Sequence, residues 1–193
     1  MNSQSWMATL LFTLIAFGGG FLAGMHGSPA PATGQTLVPT PPAPDVSAHF
    51  APKGGCTVAV VDEIASAKQT VELAGRSLTS ARIADALAAA KRRGVHVTVI
   101  LDAAQASEHR EQVRYLVGER IPVLLDAKHG LADNRVVLVD NHTLLTGSFD
   151  FSEASEEANA ANLLILRDQS QIQSLYEENF RAHLAHAKPY DGG

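Results

Sequence analysis

The sequence has one cysteine, Cys56, so no disulfide can close within the chain. Standing after Gly54 and Gly55, that thiol reads as a small packed side chain rather than a reactive group. Charge is missing from the N-terminal region. The first 48 residues contain no lysine or arginine, and Asp45 is their one acidic residue. All 15 basic residues and 19 of the 20 acidic ones therefore belong to the remainder, and the formal charge is -5. A basic excess, the usual mark of a nucleic-acid binder, is absent. Nucleic acid would need the basic residues gathered in one groove. The chain also has no P-loop, no G-x-S-x-G elbow, no zinc-motif spacing and no internal repeat. This excludes the nucleotide-binding, serine-hydrolase, zinc-finger and solenoid classes that show themselves in such patterns.

What is present begins with residues 6–25, twenty residues without a charge and rich in Leu, Phe, Ala, Ile and Gly. The run is long enough to span a bilayer. It equally fits a secretory signal, with Ala30-Pro31-Ala32 as a small-residue cleavage site. Residues 1–5 lack the basic residue usual to both, and Lys53 is too distant to set an orientation. Ala16, Gly20 and Gly24 form a small-residue stripe that suits helix pairing in a membrane. Residues 1–27 are thus expected to be a signal peptide or a membrane anchor. The protein is expected to be exported (periplasmic or extracellular) or membrane-anchored, with membrane contact through residues 6–25 if they are uncleaved. Six prolines from Pro29 to Pro44 make residues 28–48 an extended spacer. Residues 49–190 remain as one domain, with enough apolar content for a core.

Helix-type and strand-type segments alternate through that domain, which predicts an α/β fold. A short strand is expected at 49–52. Thr57 is expected to cap a helix reaching about residue 68, with Val60, Val61, Ile64 and Ala65 inward. Strands follow at 70–74, 95–101, 121–125 and 163–167. The Ala-rich stretch 81–93, ended by Gly94, reads as a strong helix whose Lys91-Arg92-Arg93 cluster complements its dipole. Further helices are expected at 107–119, 153–159 and 169–186. The last presents Ile172, Leu175, Tyr176, Phe180 and Leu184 as its apolar stripe. Its His183 and His186 read as packed or solvated, because the sequence offers no third ligand at suitable spacing.

The informative stretch is Asp133-Asn134-Arg135-Val136-Val137-Leu138-Val139-Asp140, followed by Asn141-His142, a second strand, and Gly147-Ser148-Phe149-Asp150. It reads as a β-hairpin with Asp133 and Arg135 on one face. Gly147-Ser148 allows a close backbone turn and offers N–H groups to an anion. This stretch resembles the signature of the phospholipase D superfamily, His-x-Lys-x4-Asp-x6-Gly-Ser-x-Asn, and most closely its small bacterial endonuclease branch. Arg135 stands at the Lys position, and Asp140, Gly147 and Ser148 keep their places. Asp133 replaces the catalytic His, and Asp150 replaces the Asn. The likeness continues through Phe149, Phe151 and 159–165, where Ala161 occupies the place of a Glu that orients the family's His. It covers about residues 50–190.

The resemblance implies a mixed sheet flanked by helices and a phosphodiesterase site. In the family a His attacks phosphorus to form a phosphohistidine, a second His protonates the leaving oxygen, and Lys and Asn neutralise the phosphate. Two signature copies make one site, so a chain with one copy implies a homodimer. The candidate site residues are Asp133, Arg135, Asp140, Ser148 and Asp150, with no cofactor and no metal assigned. The partner expected besides the second copy is a phosphodiester, in nucleic acid or a phospholipid head group. Three of the altered positions lie in one constellation, which predicts a degenerate protein that acts by binding. The alternative is a working nuclease or phospholipase D that uses the altered residues, in one variant through a divalent cation on Asp133 and Asp150. An unrelated α/β binding module is a third possibility. His129, four residues before Asp133, is a candidate replacement for the missing His.

Overall fold

A computed structural model describes residues 45–191 apart from 109. The apolar run 6–25 and the proline-rich stretch up to Pro44 lie outside the described residues. Among the described residues no helix is long and apolar enough to cross a membrane. The elements run β1 (Asp45–Ala51), α1 (Cys56–Ser66), β2 (Thr70–Gly75), α2 (Ala81–Arg92), β3 (His96–Asp102), α3 (Ala103–Glu108) and α4 (Arg110–Gly118). They continue with β4 (Val123–Asp126), β5 (Val136–Val139), β6 (Thr143–Gly147), α5 (Glu153–Glu157), β7 (Ala161–Arg167), α6 (Ser170–Leu184) and β8 (Lys188–Pro189).

All eight strands join one mixed sheet in the order β1-β7-β6-β5-β2-β3-β4-β8. β2, β3 and β4 are parallel, and helical crossovers join them, because a parallel return needs a dozen or more residues. Val, Leu and Ile dominate β3 and β4, as suits strands covered on both faces, whereas β2 carries Glu72 among its apolar residues. β5, β6 and β7 form an antiparallel meander. On one face Val71, Leu73, Val99, Val137, Leu145 and Ile165 pack in one core with residues of α1, α2 and α4. The opposite face, with Ala74, Ile100, Leu138 and Leu144, is covered by Phe180, Tyr176 and Leu184 of α6.

The expected α/β architecture is therefore present, with local corrections. β1 starts at Asp45, four residues inside the stretch read as spacer, because it pairs along its whole length with β7. The single helix expected at 107–119 is two, α3 and α4. α1 begins at Cys56, and Thr57 does not cap it. The Glu156 carboxylate accepts the N–H groups of Gly55 and Thr57 at 2.9 and 2.7 Å, doing from a distant segment what a local cap would do. Cys56 is fully buried, and burial, then the Glu156 charge, pushes its thiol pKa up, as a packed and unreactive side chain requires. On α6 the buried side runs through Gln173, Tyr176 and Phe180. Ile172 and Leu175, expected inside, are 39% and 66% exposed.

The β5–β6 turn spans residues 140–142 and so includes Asn141 and His142 as expected. Asp140 and Asn141 both have positive φ, 52° and 57°, and His142 N–H donates to Val139 O, which closes a tight turn between the paired residues Val139 and Thr143. The Asp140 carboxylate accepts N–H groups from Lys68, Gln69 and Thr70 at 2.7, 2.7 and 2.8 Å. Burial raises its pKa, but these three bonds and the His142 charge outweigh that, so it lies below the ordinary 3.8. Asp140→Ala is expected to cost about 1–3 kcal/mol in urea denaturation at pH 7. A depressed carboxyl stabilises above its unfolded value, so the gap between wild type and variant should narrow as pH falls below 3.8.

Candidate functional site at one edge of the sheet

Parallel strands expose their C-terminal ends at a common edge, where ligands of open α/β sheets gather. Here the C-terminal ends of β2, β3, β4 and β6 share an edge with the beginnings of β5 and β7. Asp133, Arg135, Ser148 and Asp150 all leave the sheet at this edge. Asp140 does not. It stands at the other end of β5, about 17 Å along the strand from Arg135 at a rise near 3.4 Å per residue. Its role is to hold the turn, and it takes no part in a site built on Arg135.

Asp133, Asn134 and Arg135 precede β5 rather than opening it as strand residues. The expected pairing is nonetheless present: Arg135 Nη2 lies 2.7 Å from Asp133 Oδ1. The Asp133 side chain is 39% exposed and that of Arg135 is 19% exposed, so the pair faces solvent from its acidic side. Arg135 Nε is buried without a hydrogen-bond partner, as is Arg76 Nε. Ala74 faces Val136 across β2 and β5, so Arg76 leaves the sheet beside Arg135. Sequence inspection missed Arg76. A basic residue directly after an apolar strand, at a strand's C-terminal end, is the signal that marks it.

Ser148 and Asn162 clasp each other. Ser148 N–H donates to Asn162 Oδ1 at 3.2 Å, and Asn162 N–H donates to Ser148 Oγ at 3.0 Å. The exposed Ser148 hydroxyl proton stays available to an anion. Phe149 and Phe151 anchor the segment from below, both fully buried with ring centroids 6.0 Å apart, edge to face. Between them Asp150 accepts a 2.5 Å hydrogen bond from Ser152 Oγ, and Ser152 caps α5 by accepting Ser155 N–H. Ala161 starts β7 opposite Ala51, in the sheet and mostly buried.

No group of three or more metal-ligating side chains among the described residues includes Asp133 or Asp150. His129 is not placed as a substitute for the missing His: its Nδ1 lies 2.9 Å from Asp126 Oδ2. His183 and His186 reach the same oxygen, at 2.8 and 3.1 Å. Burial raises the Asp126 pKa, but hydrogen bonds from His183 and His186, the Lys128 N–H and His129 reverse this and hold it well below the usual carboxylate range. Next to it Asp102, 3% exposed, accepts N–H groups from Gln105 and from Ala132, the residue before Asp133.

An eight-stranded mixed sheet with this signature at one edge defines the phospholipase D fold, and the comparisons agree. The family model for the cardiolipin synthase, PLD-like domain matches residues 60–184, and the chain belongs to the phospholipase D-like family. It is 33% identical over 135 residues to a phospholipase D of Rickettsia conorii, covering 70% of this chain and 67% of that protein. Among solved structures it is similar to Nuc of Salmonella typhimurium, a phospholipase D family member, with 29% identity and a TM-score of 0.73. That match covers 77% of this chain and 99% of Nuc. NucT of Helicobacter pylori shares the fold at 23% identity and a TM-score of 0.68, over 77% of this chain and all of NucT.

Gly147 is the tightest point of the site. A Cβ there would stand 2.3 Å from Asn162 O and 2.7 Å from Asn162 Oδ1. Backbone in an ordered sheet cannot yield that distance. Gly147→Ala is expected to cost about 2–4 kcal/mol by urea melt and to lower the melting temperature, since the clasp must open to admit one methyl.

Proposed function

We propose that this phospholipase D-like chain binds a phosphodiester group at Arg135 and does not hydrolyse it. The observation that carries this reading is the Asp133–Arg135 ion pair, at the place where the family has its nucleophilic His. The family reaction needs an imidazole that attacks phosphorus and a second one that delivers a proton. Carboxylates are ionised near neutral pH and have no proton to deliver. Two Asp133 side chains brought together across a two-fold axis would repel the diester they were meant to attack. Asp150 adds charge where a neutral amide serves in the family, and its bond from Ser152 commits it to capping α5.

Binding survives those changes. Arg135 keeps its charge with its side chain 19% exposed, and a guanidinium grips phosphate through two parallel N–H bonds. Arg76 and the Ser148 hydroxyl stand at the same edge to share the charge. One signature per chain supports a homodimer as the working unit. Phe50 and Leu131, 67% and 48% exposed at this edge, are apolar surface for such a contact.

The full-length chain, purified in detergent, should not hydrolyse bis(p-nitrophenyl) phosphate above background, with EDTA or with added magnesium. The reversal Asp133→His/Asp150→Asn/Ala161→Glu should be faster than the native chain by roughly 100-fold or more, the scale of acid–base catalysis. Arg135→Gln should weaken binding of the same ester about 10–100-fold, the scale of one charge-assisted hydrogen bond. Turnover by the native chain would overturn this function, as would ester binding that ignores Arg135.

A further inference from the structure

Four side chains from three segments meet at the C-terminal end of β4. Asp126 ends that strand, and its side chain is fully buried. His129 lies in the loop toward β5, His183 in the last turn of α6, and His186 just beyond it. The three imidazole centroids are 4.9, 5.2 and 5.5 Å apart. One nitrogen of each points at Asp126 Oδ2, and the four candidate ligand atoms lie within 4.8 Å of one another.

We propose that this cluster is a binding site for a divalent transition-metal ion, zinc by its donor chemistry. Three imidazole nitrogens and one carboxylate oxygen form a donor set that suits zinc rather than calcium or magnesium, which prefer oxygen throughout. The spacing fits. Zinc–ligand bonds of about 2.0–2.1 Å place tetrahedral ligands about 3.3 Å apart. The three nitrogens sit 2.8–3.1 Å from the carboxylate oxygen, and no two of the four atoms are more than 4.8 Å apart, so side-chain movements that close at most about 1.5 Å between the ligand atoms furthest apart admit the ion. The approach is open, because the His129 side chain is 44% exposed while those of His183 and His186 are 17% and 21% exposed.

The surroundings orient these ligands. Lys128 N–H holds Asp126 Oδ1 at 2.9 Å and so turns Oδ2 toward the histidines. The far nitrogen of His183, Nε2, is 3.0 Å from the Asn134 amide, which is 3.0 Å from the Asn179 amide. With a metal on Nδ1, Nε2 carries the proton. Turning both amides over then keeps both bonds, with Asn134 Oδ1 accepting from His183 and donation running from Asn179 to the signature loop. Asn134 stands between Asp133 and Arg135, so the ion would fix the loop that carries the signature. The proposal is independent of whether the chain hydrolyses a diester.

The test uses the full-length chain without a histidine tag, stripped with EDTA, in detergent. Titrated with zinc, it should take up one ion per chain and melt at higher temperature. Cobalt should give the visible absorption bands of a four-coordinate ion and paramagnetically shifted imidazole N–H resonances from three histidines, both removed by zinc. His183→Gln/His186→Gln should lose that uptake while keeping the wild-type circular dichroism. Asn134→Ala should weaken it about 10–100-fold, the usual effect of removing a residue behind a ligand. A natively folded wild-type chain that takes up no stoichiometric zinc would overturn the proposal. So would a cobalt complex without histidine resonances, or uptake by the double variant equal to that of wild type.

Discussion

Two carboxylates buried side by side at the end of the parallel strands set the shape of everything above them. Asp102 and Asp126 are register partners on β3 and β4, 3% and 1% exposed. Buried charges persist only when hydrogen bonds replace the water they lose. Asp102 meets that demand with N–H groups of Gln105 and Ala132, thirty residues apart from it in the second case. Asp126 meets it with Lys128 N–H and three histidines, one from the last turn of α6 and one just beyond it. The long β4–β5 loop is therefore drawn down over the strand ends, and its final residues, Asp133 to Arg135, arrive at a fixed place. The site is a consequence of satisfying these two side chains.

Carboxylates serve the same purpose elsewhere. Asp140 gathers three consecutive N–H groups before β2, and Glu156 closes the start of α1 from a hundred residues away. Each ties a segment with unpaired backbone donors to a distant one, which is how a chain without disulfides fixes its loops. The Asp133–Arg135 pair differs from all of them. It is half-open to water and holds no backbone, and pairs of that kind contribute about 0–1 kcal/mol. An incoming phosphodiester can take the place of the Asp133 carboxylate on Arg135 at small cost, exchanging one anion for another. Such a pair supports the fold little, and under the proposed function it is the resting state of the binding group.

The parts of this structure that rest on local pattern were legible in the sequence. Apolar runs located the parallel strands, the Ala-rich stretch located α2, and the spacing from Asp133 to Asp150 identified the signature and its substitutions. What escaped notice involves partners far apart in the chain. Nothing near Thr57 announces that Glu156 will cap α1, and nothing near Asp102 announces Ala132. His183 and His186 gave no metal pattern because their companions, Asp126 and His129, lie more than fifty residues away and meet them only when α6 crosses the end of β4. On α6 the choice of buried face went to Gln173 over Ile172 because Phe180 and Tyr176 set the helix rotation, and a single polar residue followed them inside.

The division between these contacts explains how the family's reacting groups could change without loss of its scaffold. The residues that shape the edge are Gly147, Ser148, Phe149, Phe151, Asn162 and the buried carboxylates, and their contacts are complete in this chain. The altered positions bear little of that load. Asp133 is exposed, Asp150 touches only the start of α5, and Ala161 begins a strand whose pairing is backbone to backbone. Substitution at such positions is cheap in stability and decisive in chemistry, because the nucleophile, the neutral amide and the orienting carboxylate act as one unit. Arg135, Arg76 and the Ser148 hydroxyl remain at an edge whose backbone contacts do not run through Asp133, which is what the proposed binding of an anion requires.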